Sequence, residues 1–267
     1  MPVRQHTSPV LDGVPLVEVR NPAGSLTVES VAGATELQTT VEPLNPPAAE
    51  LLGRVTLEYT DTSGPRLLVG VPERGLLATA RFAVTVRTPE GTAVQAHTAS
   101  ADVVLRGRLG SVTVSSASGD VAVEGCTGLE VKGASGGVRA GRVDGDVRVA
   151  TASGDVRVDD AGGSVDLRTA SGDLVVGHAG GDVTAVTASG DVSVARATAG
   201  TVQLRTVSGD ATIGVAPGLR LWLDLQSITG RLDSQLDTDT GSPDGDPATL
   251  SLELRSVSGD LRLRRST

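Results

Sequence analysis

From residue 96 onward the chain alternates apolar and polar positions in runs of about five residues, with glycine turns roughly every nine residues. Alternation of period two predicts strands with one face buried. A helix is excluded by that period and by the frequency of glycine. The runs repeat as well as alternate. TASGDVRV at 151–158 returns as TASGDLVV at 169–176 and as TASGDVSV at 187–194. Aligned on the position after Ser-Gly, the copies give Asp120, Gly137, Asp155, Asp173, Asp191 and Asp210, spaced 17 to 19 residues apart. Ala99-Ser100-Ala101-Asp102 is a degenerate early copy and Ser258-Gly259-Asp260 a late one.

Each period also holds a second turn, at Gly110, Gly128, Gly145, Gly163, Gly181 and Gly200, so one period reads turn, strand, turn, strand. Stacking the periods lines up their apolar positions. After the Ser-Gly-Asp turn one column is Val103, Val121, Val138, Val156, Leu174, Val192 and Ala211, and the next is Leu105, Val123, Ala140, Val158, Val176, Val194 and Ile213. The opposite strand gives Val112, Leu129, Val147, Val165, Val183 and Val202, then Val114, Val131, Val149, Leu167, Ala185 and Leu204. Positions between them, such as Arg139, Arg157, Arg148 and Asp166, are mostly polar. The pattern predicts an all-β fold: a parallel β-solenoid of β-helix or β-roll type, with two facing sheets and about 18 residues per coil. Coils of this kind rise about 4.8 Å apart. A single coil cannot bury a core, so the phrase recurs because stacking supplies one. At the corners, Ala99, Ala117, Ala134, Ala152, Ala170 and Ala188 suit a tight inner position. The Thr151, Thr169, Thr187 and Thr206 column can bond between coils or cap turn amides.

The domain reading is a tail at 1–13 and one solenoid domain at 14–267. Within it, 14–95 are irregular opening coils, 96–215 the regular repeats and 216–267 closing coils that carry an acidic loop at 233–248. LRLWLDLQSITGRL places Leu219, Leu221, Leu223 and Leu225 inward and Trp222 outward. TLSLELRSVSGDLRLRR then closes the stack, where Arg262, Arg264 and Arg265 would discourage end-to-end strand pairing.

Composition narrows the function. One Phe, one Tyr and one Trp leave Val, Leu and Ala to fill a thin, regular core. A net charge of −9 argues against nucleic acid, which selects basic surfaces. Cys126 is the single cysteine, so no intrachain disulfide exists; it reads as a small residue at a turn. The opening MPVRQHTSPVLDGV lacks the apolar stretch of a secretory signal, and no apolar run reaches membrane-span length. The expectation is a cytoplasmic protein with no direct membrane insertion.

The candidate chemistry lies in the carboxylate ladder Asp120, Asp155, Asp173, Asp191 and Asp210. Stacked about 5 Å apart, neighbours repel by about 1 kcal/mol in a water-like dielectric. Calcium is one offset, and a calcium-stabilised β-roll-like binding protein is the alternative reading. The β-roll nonapeptide G-G-x-G-x-D-x-U-x, however, sets Asp two residues past a glycine, whereas here Asp follows Gly directly. The plainer offset is donation from turn amides and neighbouring Ser hydroxyls. DTDTGSPDGD at 237–246 departs from the EF-hand pattern at Gly241 and has no Glu in twelfth place. A second alternative, a glycan-active β-helix enzyme, needs clustered carboxylates and stacking aromatics, for which one outward Trp222 is poor support. His97 and His178 sit in separate coils and read as lone polar residues. No catalytic residue and no cofactor motif emerges.

The phrase V-x-[TS]-x-S-G-D-V-x-V at solenoid spacing, after a strand ending in a Pro-Glu-Gly turn (FAVTVRTPEGTAVQAHTASADV), resembles the DUF4097 family. These are candidate adhesins, also called toastrack domains. The resemblance covers roughly 14–265. It implies a non-enzymatic β-solenoid, and several relatives are linked to cell-envelope stress sensing, some fused to membrane segments or encoded beside transcriptional regulators. The family has no agreed catalytic motif, so no residue role carries over. The expected function is therefore an interaction scaffold, in envelope-stress signalling or adhesion. Its expected partner is a protein, such as a membrane-associated sensor or regulator. Self-association through the open ends or the Trp222 strand is a further expectation.

Overall fold

The computed structural model describes residues 3–9, 13–62, 64–73, 79–235 and 249–266. Its architecture is the all-β parallel solenoid that the alternation predicts. By its contacts the chain divides into two units, residues 1–137 and 138–267.

In the first unit the strands are β1 (Arg4–Pro9), β2 (Leu16–Asn21), β3 (Gly24–Val31), β4 (Glu36–Pro43), β5 (Thr56–Thr60), β6 (Arg66–Gly70), β7 (Phe82–Pro89), β8 (Ala93–Thr98), β9 (Asp102–Ser116) and β10 (Val121–Gly133). One short helix, α1 (Pro46–Leu51), follows β4. The coils do not stack in chain order. The β2–β3 coil lies between two later ones, with β2 parallel to both β6 and β8 and β3 parallel to both β7 and β9. Outside the β6–β7 coil the pairing turns antiparallel: β5 on β6, β4 on β7 and β1 on β4. These strands, with α1, bury Leu37, Val41, Leu52 and Val55 and so cover that end of the core. The opening residues Arg4–Pro9, read from sequence as a tail, belong to this cap. Asn45 caps α1 by accepting from the Ala48 N–H (3.1 Å). The half-way glycines Gly110 and Gly128 fall inside the continuous strands β9 and β10 and make no separate turn here.

In the second unit one ladder contains β11 (Val138–Val143), β13 (Val156–Ala161), β15 (Leu174–Ala179), β17 (Val192–Ala197) and β19 (Ala211–Val215). The other contains β12 (Val147–Ala150), β14 (Val165–Arg168), β16 (Val183–Val186) and β18 (Gly200–Ser208). All are parallel and in the predicted register: Val156, Leu174, Val192 and Ala211 align, as do Val165, Val183 and Val202. The four predicted columns are buried throughout. A further inward column, not legible as alternation, runs through Val143, Ala161, Ala179, Ala197 and Val215. Two residues separate it from the column before, because each strand bends there. Its counterpart in the first unit pairs Leu109 with Cys126. Cys126 is therefore a buried core residue.

The last coils correct the expected order. After β18 and β19 come β20 (Arg220–Thr229) and β21 (Leu232–Ser234), then β22 (Thr249–Ser258) and β23 (Leu261–Arg265). In space β22 lies between β18 and β20, and β23 between β19 and β21. The TLSLELRSVSGDLRLRR segment thus sits one coil inside the stack, and the LRLWLDLQSITGRL coil is outermost. Leu250, Leu252 and Leu254 are fully buried, whereas Leu223 is 43% exposed. Arg262 pairs with Asp210 (2.6 Å) and Asp260 (3.1 Å) within the stack and guards no end. Most of the acidic loop, residues 236–248, lies outside the described residues.

Candidate functional site

The Thr-x-Ser-Gly-Asp corner explains its own recurrence. Gly172 has φ +135°, a region that L side chains rarely adopt. Its carbonyl accepts from the Thr187 hydroxyl of the following coil (3.3 Å), as Gly190 O accepts from Thr206 (3.2 Å). With that carbonyl engaged by a hydroxyl, the next coil's Asp amide takes a carboxylate as acceptor. The Asp191 N–H donates to Asp173 Oδ1 (2.8 Å), the Asp173 N–H to Asp155 Oδ1 (2.9 Å) and the Asp210 N–H to Asp191 Oδ1 (2.8 Å). In the first unit the Gly137 N–H donates to Asp120 Oδ1 (2.8 Å). Each of Asp120, Asp155, Asp173, Asp191 and Asp210 therefore holds one amide of the adjoining rung; Asp210 takes that of Asp260 (2.9 Å). Thr and Gly route one bond, and Asp supplies the other. The Ala residues of these corners face solvent and are not the tight inner positions expected, because the inward place belongs to the preceding Thr.

Charge-assisted bonds of this kind offset the repulsion between stacked carboxylates. Asp210 shows it most clearly. The Asp260 amide, and then Arg262, hold its carboxyl below the ordinary carboxylate value, against the opposing effect of partial burial. The ladder ends at Arg231, whose N–H donates to Asp260 Oδ1 (2.9 Å). Arg231 stands where other coils carry Asp, and it offers no acceptor to a further rung. Among the described residues no three His, Cys, Asp or Glu side chains converge on a point that could hold a metal ion.

The histidines differ. His178 Nδ1 lies 2.8 Å from Asp160 Oδ1, and Arg142 lies 3.6 Å from Asp160 Oδ2, so His178 has a partner that sequence reasoning did not give it. His97 stands on the outer face of the first unit, where register brings together residues far apart in sequence. Arg20 on β2 pairs with His97 on β8, His97 with Ser115 on β9, and Ser115 with Lys132 on β10. These side chains, with Glu73 and the corner alanines, line an open groove of about 560 Å³. Behind the row, Glu18 accepts from Arg20 (3.0 Å) and Arg66, and Lys132 pairs with Glu130 (2.6 Å). Glu18 is 4% exposed. The Arg66 guanidinium holds its carboxyl below the ordinary range despite burial, with Arg20 assisting. Sequence reasoning missed this row; the only signal was that Lys132 is the chain's one lysine.

No helix among the described residues is long and apolar enough to cross a membrane. No curated protein matches the chain. Solved structures do. A candidate lipid-binding protein from Parabacteroides distasonis is similar at 15% identity, over 98% of this chain and 96% of that one, with a TM-score of 0.50. A candidate adhesin from Bacteroides fragilis is similar at 12% identity, over 98% and 97% of the two chains, with a TM-score of 0.47. The Toastrack DUF4097 profile matches residues 25–264, which include the Thr-Gly-Asp corners and three of the groove-bearing strands, β8, β9 and β10. The chain belongs to the Toastrack DUF4097 family.

Proposed function

We propose that the protein is a non-enzymatic interaction scaffold whose rigid solenoid faces bind a protein partner. The partner class that the family resemblance favours is a membrane-associated sensor or regulator of the cell envelope. The observation that carries this reading is where the carboxylates go. Each ladder Asp is bonded to the amide of an adjoining rung, so the most repetitive polar feature of the chain holds coils together. What remains for function is the outer surface, and on the first unit that surface is concave where Arg20, His97 and Lys132 line up. Unlike Arg20 and Lys132, His97 has no hydrogen-bond or ion-pair partner among the described residues, which leaves its ring available to an incoming group.

A photo-reactive amino acid at His97, with the same probe at Asp159 as a control, tests the proposal in the protein's own cells with membranes retained. A discrete adduct from position 97, absent from position 159 and lost when Lys132→Glu is added, supports the scaffold reading. Indistinguishable adducts from both positions, or none, would count against it.

A further inference from the structure

The outermost coil of the second unit is open on one side. Among the described residues β20 pairs only with β22, and β21 only with β23. A ten-residue strand therefore presents a free edge. Its inward side chains are uncovered: Leu223 is 43% exposed and, on β21, Leu232 is 58% exposed, although Leu252 and Leu261 beside them one coil further in are buried; on the outer face of β20 stand Trp222 and Ile228, both exposed. In the first unit the corresponding coil edge is covered by β5, β4 and β1. Natural edges are guarded by lysine, proline, bulges or inward charges. The β20 strand, RLWLDLQSIT, has no Lys, no Pro and no charge on its inward positions.

The strand also specifies what covers it. Residues 220–224, R-L-W-L-D, are antisymmetric in charge about Trp222. We propose that the β20 edge is a self-association surface, on which a second copy of the chain pairs antiparallel about a two-fold axis at Trp222. Directly opposed residues in an antiparallel pair share a face. That register sets Arg220 against Asp224 of the second copy on the outer face, twice by symmetry. Trp222 meets Trp222, and on the inner face Leu221 meets Leu223. Moving the axis to Asp224 would oppose two carboxylates, and moving it to Leu223 would set Trp222 against Asp224. Only the Trp222 axis joins opposite charges across the pair. Arg220 is exposed and has no ion-pair partner among the described residues. Asp224 accepts from Gln226 (3.1 Å) and Arg255 (3.4 Å) and, as a carboxylate, has further acceptor sites. The joined edges continue the apolar columns Leu252–Leu223 and Leu254–Leu225 into the second copy.

Charge exchange tests both the surface and the register. In sedimentation equilibrium the wild-type chain should dimerise. Arg220→Glu and Asp224→Arg should each weaken the dimer by at least roughly 100-fold, since each opposes like charges at two places. An equimolar mixture of the two variants should dimerise again, because every cross-axis pair is then opposite in sign. That rescue cannot come from a folding defect in either variant. Trp222→Cys should form a disulfide-linked dimer on oxidation, because opposed Cα atoms in an antiparallel pair lie within bridging distance. The native Cys126 is buried and does not compete. A wild-type chain that stays monomeric at the highest attainable concentration overturns the proposal and means that the edge is covered by another occupant, from this chain or another protein. Two folded variants whose mixture remains monomeric overturn it equally.

Discussion

Replacing Gly172 by Ala separates two reasons for a corner glycine. A Cβ built on Gly172 would lie 2.3 Å from the Gly154 carbonyl oxygen and 2.6 Å from its carbon. Ordinary contact begins near 3.4 Å, so the two rungs would have to part by about 1.1 Å. The bonds that such a separation stretches are Ser171 N–H to Ala152 O (3.0 Å), Gly154 N–H to Ser171 O (3.0 Å) and Asp173 N–H to Asp155 Oδ1 (2.9 Å). At about 1 kcal/mol net for each bond the loss is roughly 3 kcal/mol. The backbone angle itself adds about 1–3 kcal/mol for a side chain held there. Gly218 in the same unit is the control: its φ is +79° and nothing lies within 4 Å of an added Cβ. Gly218→Ala should therefore cost only the backbone preference, about 1–2 kcal/mol. For a chain of this length each kcal/mol lowers Tm by roughly 2–4 °C. Calorimetry should show Gly172→Ala melting roughly 8 °C or more below wild type and Gly218→Ala only a few degrees below. Equal shifts in the two variants would refute the argument that rung-to-rung contact, and not backbone freedom alone, requires glycine at the corner.

Thr187→Val should cost about 1–2 kcal/mol in urea unfolding, because Thr187 is 2% exposed and its hydroxyl, which donates toward Gly172 O and Ser189 O, is lost from a buried corner. Glu18 and Asp210 have folded pKa values below their ordinary 4.5 and 3.8, so each contributes stability that is complete above those values and is lost as pH falls through the lowered ones. Tm should thus drop on acidification below about pH 4.5, and Glu18→Gln and Asp210→Asn should each flatten that dependence. Because every ladder carboxylate is bonded to a backbone amide, Tm should be the same in EDTA and in millimolar calcium; a rise of several degrees with calcium would show that the ladder binds metal.

Much of the fold was legible because stacking imposes one requirement on every coil. The columns headed by Val103, Leu105, Val112 and Val114 repeat at a spacing that leaves no other arrangement able to bury them. The Val143–Ala161–Ala179 column was not legible, since the strand bends just before it and interrupts the alternation. The order of the last coils has one correlate in the sequence. An Asp in the ladder position can accept from a further rung and an Arg cannot, so Arg231 suits an outermost rung. That inference needs the role of the Asp carboxylate, which only the Asp173–Asp191 geometry reveals. The groove was beyond reach for a different reason. Arg20 and His97 are neighbours through the pairing of β2 with β8, and the out-of-order coil that makes them adjacent carries no Ser-Gly-Asp phrase to mark its place.

A stack of coils unravels from its outermost members, where each strand has one neighbour in place of two. In the second unit the outermost coil is not the last in chain order: β22 and β23 are clamped between neighbours on both sides. Tension applied to the second unit from beyond β23 therefore reaches a doubly bonded rung before a singly bonded one. It loads the hydrogen bonds of two ladders in shear, and cannot peel a single edge. A unit closed this way resists being pulled apart from that side more than its thin, aromatic-poor core would suggest.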